Sequence, residues 1–271
     1  MEKERKKYHR GRREKKTKKQ RISSVISVIV LIVALVVFGF SAFKLYEIFH
    51  GYHEGESEYK ELEEIAIINN NEGNEEEHFQ VDFDALKEIN PDVVGWIRFE
   101  EPAVINYPVV QGSDNAEYLY KTFKGYDNTV GSIFVNAYNN PDFKDKNTII
   151  YGHYMYNGTM FNELEQYAKK EFWEAHPYFY IYTPDGAELT YQIYCAGIVK
   201  DTSESYIYQF ADEAAFAEFV NITKAANNYD TGVEVEEDAQ IVTLSTCTKD
   251  NNDDRFVIHA VKVAEWRPED E

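Results

Sequence analysis

Two cysteines, Cys195 and Cys247, are the only thiols in a chain of 271 residues, and their settings differ. Cys247 closes the apolar run QIVTLSTC, with hydroxyls at Ser245 and Thr246 just before it, and Arg255 follows eight positions later across a polar turn. A nearby cation lowers the pKa of a thiol, and the thiolate is the form that attacks carbonyl carbon. This pattern points to covalent catalysis, which needs a base within reach of the sulfur. Cys195, in LTYQIYCAGIV, reads instead as a small buried hydrophobe on one strand face with Tyr191 and Ile193. The two thiols could pair, or Cys247 could stay free.

Seven histidines could supply the base. His9 lies in a basic N-terminal block, His50 and His53 follow an apolar stretch, His78 sits in a polar run and His176 precedes Pro177. Two remain. His153 ends the strand-like NTIIYGH just before YMYNGT, and His259 lies inside the last strand with the parity of Arg255. The strand-to-loop position favours His153 modestly, since functional side chains concentrate on loops. The Asn/Asp-rich turn between Cys247 and Arg255 does not read as a calcium loop. The twelfth position from Asp250 is Val261, and the central glycine is missing. No metal and no cofactor are expected.

These residues need a scaffold. Runs rich in β-branched and aromatic residues (VVGWIRF, AVINYPVVQ, GSIFVNA, NTIIYGH, QIVTLSTC and RFVIHAVKVAEW) read as strands, and YFYIYTPDGAELTYQIYCAGIV reads as a hairpin turning at Pro184-Asp185-Gly186. Helices are expected at VDFDALKEINPD, at TMFNELEQYAKKEFWEAH and from Asp212 to Ala226. About eight strands with few helices indicate a mainly β fold, a barrel or a sandwich.

Charge is distributed unevenly. Residues 1–21 hold twelve Lys/Arg against three Glu, a net of +9, so residues 22–271 carry −29 of the overall −20. Between the two regions lies ISSVISVIVLIVALVVFGFSAF, residues 22–43, without a charge. As a helix this run is roughly 33 Å long, enough for a hydrocarbon core of about 30 Å. It exceeds a signal-peptide core and lacks a clear cleavage site, so a retained anchor is expected. The basic block then keeps the N-terminus in the cytoplasm, and it needs no nucleic-acid role to explain it. The expected organisation is a basic tail (1–21), a transmembrane anchor (22–43), an acidic stalk and linker (44–78) and an extracellular catalytic domain (79–271).

TLSTC followed by Arg255, together with YGHYM and GTMFNEL upstream, resembles the sortases, and class B sortases in particular. INYPVVQ, GSIFVNA and the helix inserted ahead of QIVTLSTC extend the resemblance over roughly residues 80–266. It implies a closed sortase-like β-barrel with peripheral helices behind a single membrane span. It also implies the catalytic trio His153, Cys247 and Arg255. Asn106, Thr202, Tyr206, Ile207, Ser245 and Thr246 match positions that line the family's substrate groove. Thr248 stands where some relatives carry an acidic residue.

The implied activity is cysteine transpeptidation. A secreted protein is cleaved after Thr in a C-terminal sorting signal, held as a thioester and passed to an amine of peptidoglycan or its precursor. The implied partners are such secreted proteins, the wall amine and the membrane. An extracellular cysteine endopeptidase with water as acceptor, a pilin-polymerising sortase and a binding-only domain are the alternatives. The ending EWRPEDE, without a second apolar span, counts against the pilin class.

Overall fold

One helix, α1 (Lys18–Ala66), contains the entire charge-free stretch. The computed structural model describes residues 18–68, 79–248 and 253–268. The expected basic tail up to 17, the Asn/Glu run at 69–78 and the turn at 249–252 fall outside the described residues. Two units divide the chain, one ending at His50 and one beginning at Gly51. In the first, apolar side chains from Val25 to Phe49 lie exposed along a helix long and apolar enough to cross a membrane.

The second unit starts earlier than the composition suggests. Its acidic surface reads as a solvated stalk, yet Tyr59, Leu62 and Ala66 are buried in the main core. Helical spacing gathers these apolar residues on one face and leaves the glutamates on the other. A two-stranded ladder of β1 (Ile67–Ile68) and β2 (Gln80–Val81) follows the helix. In α2 (Phe83–Ile89), Asp82 caps the N-terminus by accepting from the Ala85 N–H at 2.9 Å.

Eight further strands close into a barrel: β3 (Val93–Arg98), β4 (Asn106–Val110), β5 (Ile133–Val135), β6 (Asn147–Tyr151), β7 (Tyr178–Tyr182), β8 (Glu188–Lys200), β9 (Ile241–Cys247) and β10 (Asp254–Trp266). Around the barrel they run β10-β8-β7-β3-β4-β5-β6-β9, and β9 pairs with β10 to complete the ring. Most neighbours are antiparallel, but β4 with β5 and β6 with β9 are parallel. The main core includes Trp96, Ile97, Val242, Leu244, Phe256 and Ile258. α4 (Glu213–Ala225) buries Phe216 and Phe219 against Tyr194, Cys195, Ile241 and Val261 in a second, smaller cluster.

Two local expectations are corrected. The helix expected over 159–176 is a 3-10 segment, Asn162–Ala168, followed by a short α3 (Lys170–Ala175). Phe161, Leu164 and Tyr167 are all fully buried, and their spacing of three suits the three-residue turn of a 3-10 helix. On β8, Cys195 does not share a face with Tyr191 and Ile193. The β8–β10 register slips between the pairs Ile193–Ala260 and Cys195–His259, a β-bulge that turns Cys195 out beneath α4.

Candidate active site

Strand register builds the site. Cys247 is the last residue of β9, and Arg255 lies directly opposite it on β10. Residues opposed across an antiparallel ladder point to the same face. On the other side of β9, the parallel ladder to β6 pairs Tyr151 with Ser245 and continues as Gly152 N–H donates to the Ser245 carbonyl at 3.1 Å. Two residues past Tyr151 and Ser245 stand His153 and Cys247. Cys247 and Arg255 thus sit at the same end of the β9–β10 ladder as the end of β6, which His153 follows.

Cys247 is half-buried and unbonded to Cys195, which is also free. Cys195 is fully buried, its thiol donates to the Thr223 carbonyl at 2.9 Å, and burial pushes its pKa up to about 12. Of the two thiols, Cys247 is therefore the accessible one.

His153 Nε2 lies 2.5 Å from the Leu119 carbonyl oxygen. A carbonyl only accepts, so Nε2 carries a hydrogen and Nδ1 is the nitrogen left to exchange a proton. Burial holds this imidazole below the usual histidine range, partly opposed by the Leu119 bond. The Tyr120 ring lies 5.9 Å away. His259, the other candidate, is a structural residue. It pairs with Thr243, four residues along β9 from Cys247, or about 13 Å at strand rise. It is fully buried, bonded through Nδ1 to Thr243 Oγ1 at 2.8 Å, and burial lowers its pKa to about 3.

The guanidinium of Arg255 donates to the Asp254 carbonyl at 3.1 Å and lies 3.8 Å from Asp201, across the β8–β10 rim. Its charge reaches two phenols, Tyr151 and Tyr206, and lowers both against a larger upward push from burial; Tyr151 ends at about 12. Tyr206 shares a 2.8 Å hydrogen bond with Ser245 Oγ and stacks on Tyr151 at 6.4 Å. Tyr206 is thus tied to Ser245, two residues before Cys247 on β9.

The other groove candidates are placed less uniformly. Ile207 is partly exposed, and its carbonyl accepts from buried Asn147 Nδ2 at 2.8 Å. Thr202 is exposed in the turn after β8. Thr246 is buried, and strand alternation turns its side chain to the core side, opposite Ser245 and Cys247. Asn106 opens β4, separated from β9 by β5 and β6. Its amide accepts from Trp96 Nε1 at 2.6 Å and donates to Glu63 of α1 at 2.7 Å.

A family model described as the sortase domain matches residues 100–263. Sortase B of Listeria monocytogenes is 35% identical over 177 residues, covering 64% of this chain and 70% of the relative. The chain belongs to the class B sortases. Among solved sortase B structures, that from B. anthracis in complex with AAEK1 aligns with a TM-score of 0.69 at 32% identity, covering 80% of this chain and 99% of that one. A Staphylococcus aureus sortase B–substrate complex aligns at 0.63 and 32% identity, covering 67% and 84%. The closed eight-strand barrel expected from the resemblance is the fold observed.

Reasoning from sequence missed two parts of this sortase site. One is the Leu119 carbonyl, a backbone group that no residue type announces. The other is the reach of α1 into the domain through Tyr59 and Glu63. Its signal was available in the helical spacing of Gly51, Gly55, Tyr59, Leu62 and Ala66, which the acidic composition obscured.

Proposed function

We propose that this sortase is a membrane-anchored cysteine transpeptidase in which Cys247 attacks the carbonyl after Thr in the sorting signal of a secreted protein. The observation that supports this reading is the register: Arg255 is paired with Cys247 across β9–β10, and His153 follows two residues after Tyr151, the last β6 residue paired with β9. Cys247 passes its thiol proton to His153, and attack by the thiolate gives a tetrahedral oxyanion, for which a permanent multi-donor cation directly across the ladder is suited. Collapse expels the C-terminal amine, which takes a proton from His153 and leaves a thioester on Cys247. The incoming amine of peptidoglycan or its precursor gives its proton to the same imidazole as it displaces the sulfur. The thioester conserves bond energy between the two steps.

The apolar part of α1 anchors the enzyme with its N-terminus in the cytoplasm and the barrel outside, as the basic block at 1–21 favours. Holding enzyme and substrate on one surface raises their effective concentration. Tyr206, Ile207 and Ser245 line the groove beside the thiol, and Thr202 and Asn106 contact the peptide further along the rim. Thr246 acts only through the backbone there.

The test is mass spectrometry of the full chain in detergent, incubated with a library of sorting-signal peptides with and without an added amine. An acyl adduct on Cys247 and an amine-dependent product are expected, and both should vanish in Cys247→Ala. Hydrolysis products alone under every condition would make the chain an endopeptidase.

A further inference from the structure

Residues 117–132, ahead of β5, have little regular structure: a single 3-10 turn at Glu117–Leu119 and one bridge between Lys121 and Asp127. The shape of such a segment is set by whatever anchors it. This one presents two groups to His153. The Leu119 carbonyl holds Nε2, and Gly131 packs on the ring itself. Gly131 has φ +60°, and a Cβ there would lie 2.9 Å from His153 Cδ2 and 2.6 Å from the Leu119 oxygen. Only glycine permits both that backbone and that approach.

Anchors come from the C-terminal part of α1. Asn128 Nδ2 donates to the Gly51 carbonyl at 3.0 Å, and the Lys124 N–H donates to Glu58 Oε1 at 2.8 Å. Lys124 Nζ pairs with Glu61 at 2.6 Å. Gly55 packs so closely on Val130 that a Cβ would come within 2.9 Å of its Cγ2. Tyr59 completes the set, donating its hydroxyl to the Gly131 carbonyl at 2.6 Å. Gly51, Gly55, Glu58, Tyr59 and Leu62 recur every three or four residues, which puts them along one helix face.

We propose that Tyr59 is a positioning residue for His153. By fixing Gly131 it fixes the loop that holds Nε2, and so selects Nδ1 as the nitrogen that exchanges the proton. The proposal rests on the role of His153 given above and adds a cause for its tautomer. Tyr59 is buried, with its phenol held well above the usual range, so its hydroxyl remains a donor at any working pH. Its ring also packs edge-on against Tyr107 at 5.4 Å, a contact that phenylalanine would retain.

The experiment compares wild type, Tyr59→Phe, Glu58→Gln and His153→Ala as full chains in detergent. It measures kcat, KM, the pH dependence of kcat/KM and the imidazole 15N and Nε2–H signals of His153. For Tyr59→Phe we expect kcat to fall about tenfold with KM little changed, because even a 1 Å misplacement of a reacting group can cost about 10²-fold. The Nε2–H signal should exchange faster and the His153 limb of the pH profile should move. Glu58→Gln should shift the same signals in the same direction to a smaller extent. A Tyr59→Phe chain with unchanged imidazole signals and pH profile overturns the proposal, even if its thermal stability is lower. Undiminished turnover in His153→Ala overturns the catalytic reading instead.

Discussion

Arg255 stands directly across the β9–β10 ladder from Cys247, so the cation and the sulfur share one face without any loop to place them. The guanidinium also lies 3.8 Å from Asp201 on the rim. Arg255→Lys keeps the charge but loses the planar fork of donors. If the guanidinium holds the oxyanion, kcat/KM should drop about 10²- to 10³-fold with little change in folding. Peptide turnover beside a thermal melt checks this, and full activity in the lysine variant would remove Arg255 from the oxyanion site.

The two thiols should be distinguishable by reagent. In the folded chain an alkylating agent is expected to add once, at half-buried Cys247, because Cys195 is fully buried beneath α4 with a thiol pushed up to about 12. In denaturant it should add twice. Intact mass before and after unfolding gives the count, and two additions to the native chain would contradict the burial of Cys195.

Tyr206→Phe removes one hydroxyl and leaves the stack on Tyr151. Losing a hydrogen bond of about 1 kcal/mol that orders the groove wall should raise KM about fivefold while kcat changes less. Steady-state kinetics on a cleaved sorting-signal peptide measure the split. An unchanged KM would assign the Tyr206–Ser245 bond to structure alone.

Stability should fall as the solution is acidified below the ordinary histidine range. His259 is neutral in the fold with a pKa lowered to about 3, whereas the unfolded chain takes up a proton near 6.5. Between those values the unfolded state binds more protons, so stability rises with pH and is lost as pH falls. From this residue alone the loss at about pH 5 is about 2 kcal/mol. His153 is shifted in the same direction and adds to the slope. Chemical unfolding near pH 7 and near pH 5 should show a smaller difference in His259→Gln, whatever its absolute stability. An equal slope would mean that His259 is not held neutral.

The strands were legible because each is a short β-branched or aromatic run bounded by turn residues. The cysteine, arginine and histidine were legible because chemistry restricts their type. Register was not. His153 and His259 both remained open from the residues, and what separates them is the parallel pairing of β6 with β9, a long-range contact that no local pattern encodes. The bulge that rotates Cys195 outward is likewise invisible to a period-two reading. The helix over residues 51–66 is legible as a stalk, but its packing into the domain is not: its glutamates signal solvent while Tyr59, Leu62 and Ala66 signal a core, and composition averages the two.

The closed order of strands has a temporal implication. The first six barrel strands to be synthesised form one open sheet with free edges at β8 and β6, and the β9–β10 hairpin is the stave that fills the gap. That hairpin also bears the sulfur and the guanidinium. Closing the ring and setting Arg255 opposite Cys247 are therefore the work of the same two strands.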